Sequence, residues 1–316
     1  MAKVAYRVRN WKNYNKSLIQ RGSLTFWFSE EIISNWKCQP SKNAHGNQKY
    51  SDMVITCALT FRQLYRLPLR ATQGLLGSLV KLLKLHVDTP DYTTLCRRGQ
   101  KLTVRLDVKT PNQPRHVLVD STGVQVFGEG EWKKMRHGVS RHQVWRKLHI
   151  AMDADSQEIL AAKVTESVRL DGNHLPSLID QIKGPIKQIT GDGAYDKKNC
   201  YRKAHEIGAK PVFPPQHDAI VQRNKYKKDP ALLARDAVIR QINAGQDKNE
   251  ERKKWKKEND YHRRSLVETM MSRMKFIFGD QMRAKSIQNQ QTDLLIRCYA
   301  INKMNALGLP ESMPVD

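Results

Sequence analysis

The periodicity of the chain changes at residue 116, and that change constrains the fold more than any other feature. From His116 onward, short apolar and β-branched runs replace helical spacing. Three strand candidates come first, at 116–126, 144–152 and 158–165, with a hairpin turn expected at Asp153, Ala154, Asp155 and Ser156. A helix at 174–182, a strand at 186–190, a helix at 197–207 and a strand at 210–213 follow. The order β-β-β-α-β-α-β, then a polar insertion at about 214–260 and a final helix, predicts a mixed α/β domain over 111–310.

Upstream, residues 1–48 read as a basic arm with Trp11, Tyr14, Trp27 and Trp36, ending in the polar linker Ser41 to Gln48. Residues 49–110 carry three helix-like pieces at 52–65, 72–85 and after Pro90, the last with Asp91 as its N-cap. That succession is compatible with a helix-turn-helix whose third helix enters a major groove, with Arg97 and Arg98 reaching phosphates or guanine edges. A small helical bundle with a basic edge fits the same stretch equally well.

The final helix carries the sharpest local pattern. Tyr261, Arg264, Glu268 and Lys275 are spaced by three, four and seven residues. At about 100° per residue they share one side of a helix, beside an apolar arc of Leu266, Val267, Met270, Met271 and Met274. A solvated helix face is the plain alternative. Two further carboxylates are placed where strands are expected to end: Asp120 after the run 116–119, before Ser121, Thr122 and Gly123, and Asp192 in Gly191-Asp192-Gly193 after 186–190. Three hard oxygen donors suit magnesium or manganese, although each aspartate alone can also be read as a turn former.

These residues carry a resemblance. Tyr261, Arg264, Glu268 and Lys275, with one aspartate after VLVD and another in GDGAYD, resemble the DDE transposases of bacterial insertion sequences, most of all the family named for insertion sequence five. The likeness extends through NWKNYNKSLIQRGSLTFWF, LPLRATQG, PDYTTLCRR, GEGEWKKMRHG and VWRKLHIAMD, and so covers nearly the whole chain. It implies a ribonuclease H-like catalytic core in which the first and fourth strands are neighbours, preceded by the helical DNA-binding region. It also implies that Asp120, Asp192 and Glu268 bind two Mg²⁺ ions about 3.5 to 4 Å apart, with Mn²⁺ able to substitute. Such an enzyme binds the terminal inverted repeats of its element, cleaves there and joins the 3′-hydroxyl ends to target DNA. In it Arg264 and Lys275 hold end phosphates and Tyr261 contacts the strand near the cut.

Charge agrees with a polyanionic partner. The 316 residues hold 55 Lys and Arg against 31 Asp and Glu, a net charge of +24. The most apolar stretch, 75–85, is interrupted by Lys81 and Lys84 and is too short to span a bilayer, so double-stranded DNA is favoured over membrane. The expected setting is cytoplasmic, on the nucleoid, as a homodimer or higher oligomer. Five scattered cysteines with no CxxC pair read as free core thiols. The run Lys253, Lys254, Trp255, Lys256, Lys257 reads first as a solvated helix face. Its functional alternative is a phosphate-tracking surface with Trp255 stacking on an unpaired base. Glu129, Glu131 and Trp132 lie in a loop after Asp120 that could approach the cleavage site. His137, His142 and His149 lack zinc spacing. Two rival functions remain on sequence grounds: a structure-selective metal-dependent nuclease, and a non-enzymatic DNA-binding regulator.

Overall fold

The computed structural model describes residues 5–38, 49–109, 113–127, 144–166, 171–222 and 229–315. In chain order the elements are strand β1 (Ala5–Val8) and helices α1 (Trp11–Gln20), α2 (Leu24–Trp27), α3 (Glu30–Ser34), α4 (Asp52–Leu64), α5 (Leu69–Leu82) and α6 (Tyr92–Lys101). Strands β2 (Arg115–Val126), β3 (Trp145–Asp153) and β4 (Ile159–Glu166) follow, then α7 (Leu175–Ile179), β5 (Ile186–Thr190), α8 (Lys198–Glu206) and β6 (Lys210–Val212). Helices α9 (Leu233–Ala244), α10 (Lys248–Glu258) and α11 (Ser265–Phe278) lead to β7 (Gln281–Met282), α12 (Ile287–Leu307) and β8 (Ser312–Val315).

The chain divides into two compact units, 1–105 with 283–316, and 106–282. The first is helical. Asp91 caps α6 through its side chain, accepting from the Thr94 amide at 2.7 Å, and α4 buries Val54, Ile55, Ala58, Leu59 and Phe61. Helix α12 packs within this unit. It is tied in by polar contacts that periodicity cannot reveal. Arg62 pairs with Asp293 and Thr292 donates to the Gly99 carbonyl at 2.7 Å, both buried. Burial raises the Asp293 pKa, and the Arg62 and Arg297 charges oppose that rise.

The second unit is a mixed α/β body around a six-stranded sheet ordered β4-β3-β2-β5-β6, with β7 also pairing β2. Strands β2, β3 and β4 form an antiparallel meander, whereas β5 and β6 run parallel to β2. The first and fourth strands of the unit are therefore neighbours. Their register is locked in part by a buried polar link, since His116 Nε2 lies 2.8 Å from Thr190 Oγ1 across the two strands. One face of the sheet packs Val117, Val119, Leu175, Leu178, Ile189, Tyr195 and Phe213 into a single core. The 214–260 insertion is not formless: α9 and α10 pack on each other, with Ile239, Ile242 and Trp255 buried.

Candidate active site

The sheet sets the spacing of two acids. The last rung between the parallel strands joins Leu118 to Thr190, so Asp120 and Asp192 each stand two residues beyond it. Asp120 does not end its strand, as the run 116–119 suggested. The ladder with β3 continues from Val117 to Gln125, which keeps Ser121, Thr122 and Gly123 extended. What ends is β5, and β7 reaches the same edge only at Gln125 and Val126. Asp120 therefore faces an interruption in the pairing on the β5 side of β2 without leaving the strand.

Asp192 turns away from the sheet as N-cap of a 3₁₀ turn, Gly193–Tyr195, accepting from the Ala194 amide at 2.9 Å. Gly191 makes this turn possible. A Cβ there would lie 2.7 Å from Tyr195 Cδ2 and 2.9 Å from Val119 Cγ2. Tyr195 fills that space and is 1% exposed, and among the described residues its hydroxyl has no hydrogen-bond partner. Burial drives its pKa well above the ordinary value, and the charges of Asp171, Asp120 and Asp192 add to the rise. In the sequence Tyr195 stands only as part of GDGAYD, with nothing to mark it as a packing residue. The next residue, Asp196, is also buried and holds Arg235 of α9 through both carboxylate oxygens at 2.6 and 3.1 Å.

The Tyr261, Arg264, Glu268, Lys275 series is not carried on one continuous α-helix. Tyr261–Arg264 form a 3₁₀ turn, entered through the left-handed Asp260 (φ 52°), and α11 begins at Ser265. The apolar arc is as expected for Val267, Met270, Met271 and Met274, joined by Phe278, while Leu266 is only half-buried. The tighter turn aims Arg264 back across the acids. Its Nη1 donates to Asp120 Oδ2 at 3.1 Å and its Nη2 to Glu268 Oε1, so one guanidinium bridges sheet and helix. The other Asp120 oxygen accepts from the Ser121 amide at 2.8 Å.

Asp120 is the buried member, its side chain 15% exposed against 52% for Glu268. Burial raises its pKa; the Ser121 amide and Arg264 pull it down, and Asp192 and Glu268 push it up again. Asp120 thus feels the charge of both other acids. Among the described residues no three His, Cys, Asp or Glu side chains stand close enough together to hold an ion as placed. The donor set nonetheless suits a hard divalent cation: three carboxylates and no sulfur or imidazole, with a cation already between two of them.

The remaining expected contacts are distributed unevenly. Tyr261 is half-buried, with Arg264 5.8 Å and Lys256 5.1 Å from its ring centre. Lys275 is half-buried on α11. Lys254 and Lys257 are exposed, whereas Lys253 pairs with Glu250 at 2.6 Å. Trp255 is 4% exposed and packs near Tyr261, so it cannot offer a face to an unpaired base; its indole is the apolar side of α10. Arg97 is exposed on α6, but Arg98 is committed to the Tyr50 carbonyl at 2.7 Å and to Asp52. His149 is a buried core residue, with Nε2 2.9 Å from Thr165 Oγ1. Glu129, Glu131, Trp132, His137 and His142 lie outside the described residues.

Comparison with known proteins identifies the family. Two family models, each described as a transposase DDE domain, match residues 19–129 and 111–303. The second spans well over half of the chain, and the chain belongs to the DDE transposases. It is accordingly a DNA-acting enzyme of the endonuclease and strand-transferase kind. Among solved structures it is similar to the "Cryo-EM structure of piggyBac transposase synaptic complex with hairpin DNA (SNHP)", at 11% identity and a TM-score of 0.40, over 96% of this chain and 76% of that one. A likeness that remote carries no argument. Among the described residues no helix is long and apolar enough to cross a membrane.

Proposed function

We propose that Asp120, Asp192 and Glu268 are the metal-binding triad of a ribonuclease H-like core, and that the enzyme cleaves DNA at the terminal repeats of its insertion sequence and joins the freed ends to target DNA. The observation that carries this reading is the level placement of Asp120 and Asp192 beyond the last β2–β5 rung, with Arg264 linking Asp120 to Glu268. Two bound Mg²⁺ ions, or Mn²⁺ in their place, would supply a lowered pKa for the attacking hydroxyl and charge neutralisation at the leaving oxygen.

The protein's own part is positioning. Strand β2 holds Asp120 rigidly through its β3 ladder, and Gly191 lets the chain turn so that Asp192 comes beside it. In cleavage a water oxygen bonds to phosphorus as the bond to the 3′ oxygen breaks, which leaves a 3′-hydroxyl on the element and a 5′-phosphate on the flank. In joining, that hydroxyl attacks a target phosphorus in the same in-line sense and displaces a target 3′ oxygen. Arg264, Lys275 and Tyr261 are assigned to end phosphates and the nearby strand, and Lys254 and Lys257 to flanking backbone. Helices α4 to α6 are assigned as a helix-turn-helix-like reader with Arg97 outermost, acting in a homodimer or larger assembly on nucleoid DNA.

The test uses purified protein and a duplex copied from DNA that brackets the reading frame. Asp120→Ala, Asp192→Ala and Glu268→Ala should each lose Mg²⁺-dependent cleavage while retaining duplex binding. Cleavage surviving in any of the three refutes the assignment.

A further inference from the structure

We propose that Arg264 is an internal counter-ion that competes with a divalent cation for Asp120 and Glu268, so that these acids load metal only as the guanidinium leaves them. The inference rests on the proposed reading of Asp120, Asp192 and Glu268 as metal ligands. It begins from the lone pairs. Both oxygens of Asp120 are engaged, one by the Ser121 amide at 2.8 Å and the other by Arg264 at 3.1 Å. Glu268 gives an oxygen to the same guanidinium, and Asp192 gives one to the Ala194 amide. A cation entering between Asp120 and Glu268 meets the guanidinium charge already seated on one oxygen of each.

The two halves of the bridge differ in weight. An Arg–Glu pair one helical turn apart, with Glu268 half-exposed, contributes little by itself. Asp120 is mostly shielded from water, with Asp192 and Glu268 adding like charge, so its carboxylate depends on a nearby cation. Arg264 is held for that role: its side chain is only 21% exposed and lies against the Tyr261 ring. Burial works against its charge, but Tyr261, Glu268 and Asp120 together raise its pKa. A guanidinium also matches phosphate as well as carboxylate in a forked geometry. A DNA phosphate that takes Arg264 therefore frees the acids, and metal and DNA bind with positive coupling, each strengthening the other.

The test is a Mn²⁺ titration of the full-length, DNA-free protein, reading free Mn²⁺ by electron paramagnetic resonance. Arg264→Gln removes the charge while keeping the length, and should bind Mn²⁺ about tenfold more tightly than wild type, by removal of a charge-assisted competitor. Arg264→Lys, which cannot fork across two carboxylates, should fall between the two. The tightening should vanish when Arg264→Gln is combined with Asp120→Ala. Mn²⁺ binding that is lost in Asp120→Ala but no tighter in Arg264→Gln overturns the counter-ion role and leaves the ligand assignment standing. Mn²⁺ binding indifferent to Asp120→Ala in either background overturns the ligand assignment, and this inference with it. Should a thermal melt show Arg264→Gln unfolded, Arg264→Lys decides alone, and wild-type affinity in that variant overturns the proposal.

Discussion

Replacing Gly191 by alanine isolates the geometry of the second acid from its chemistry. The backbone at Gly191 does not need a left-handed conformation, so the effect is steric. A new Cβ would meet Tyr195 Cδ2 at 2.7 Å and Val119 Cγ2 at 2.9 Å, both closer than real Cβ contacts come. Tyr195 is fully buried and Val119 sits in the sheet, so neither can swing into solvent. Overpacking of one methyl into such a site costs about 1–3 kcal/mol. For a unit of this size that lowers the melting temperature by about 2–12 °C. The cheaper relaxation is a shift of the turn that carries Asp192, so cleavage should fall more than stability does. Gly193→Ala is the control: its Cβ would find only the Pro214 carbonyl oxygen at 3.6 Å, an ordinary contact, and it should melt and cleave like wild type. Scanning calorimetry with a Mg²⁺ cleavage assay on both variants checks this. A Gly191→Ala protein with wild-type melting and wild-type cleavage would show that the close packing around the turn does not set the position of Asp192.

Other outcomes follow from the same contacts. Replacing Lys254 and Lys257 by alanine should weaken duplex binding and lessen the slope of log affinity against log salt by about one per lost phosphate contact, whereas Lys253→Ala, already paired with Glu250, should do less. His116 and His149 have pKa values pushed down to about 4 by burial, each aided by a nearby positive group, Arg263 for the first and His174 for the second. Between that value and 6.5 the unfolded chain binds the proton and the folded one does not. Stability is therefore full above pH 6.5 and is lost as pH falls toward 4, by up to about 3 kcal/mol per histidine, and denaturant melts across that range should show the fall. Asp293→Ala leaves Arg62 and Arg297 buried without their counter-charge and should cost about 3–5 kcal/mol, much of it recovered in Arg62→Met with Asp293→Leu. Equal melting of Asp293→Ala and wild type would remove that pair from the account.

The elements were legible because their patterns are local. The expected strands at 116–126, 144–152 and 158–165 lie within one residue of Arg115–Val126, Trp145–Asp153 and Ile159–Glu166, since β-branched runs and the Asp153–Ser156 turn signal themselves. Whether β2 pauses at Asp120 or runs on was ambiguous, since the sequence offered both a strand at 116–126 and turn chemistry after residue 119. Ser121, Thr122 and Gly123 have turn chemistry, and only the tertiary ladder with β3 overrides it. The 3₁₀ turn at Tyr261–Arg264 escaped for a related reason, because spacing alone cannot distinguish a tightened first turn from an α-helix. The burial of Trp255 was hidden by the lysines around it, and the commitment of Arg98 by a partner, Asp52, far off in sequence. Tyr195 offered a signal in its place between two acids, but only packing shows a buried phenol with no partner among the described residues.

Asp120 and Asp192 hang from adjacent strands of one sheet, so their separation is inherited from the spacing of the backbone itself and resists change at the surface. Glu268 has a different pedigree: it follows a two-helix excursion, α9 and α10, and a turn that meets the sheet through side chains such as Arg263 on the Ala154 carbonyl and Arg264 on Asp120. Drift in that excursion would reach Glu268 through the chain itself, but Asp192 through the Asp196–Arg235 pair and Asp120 through Arg264, which makes the third carboxylate the more adjustable jaw of a vice whose other jaw is set by the sheet.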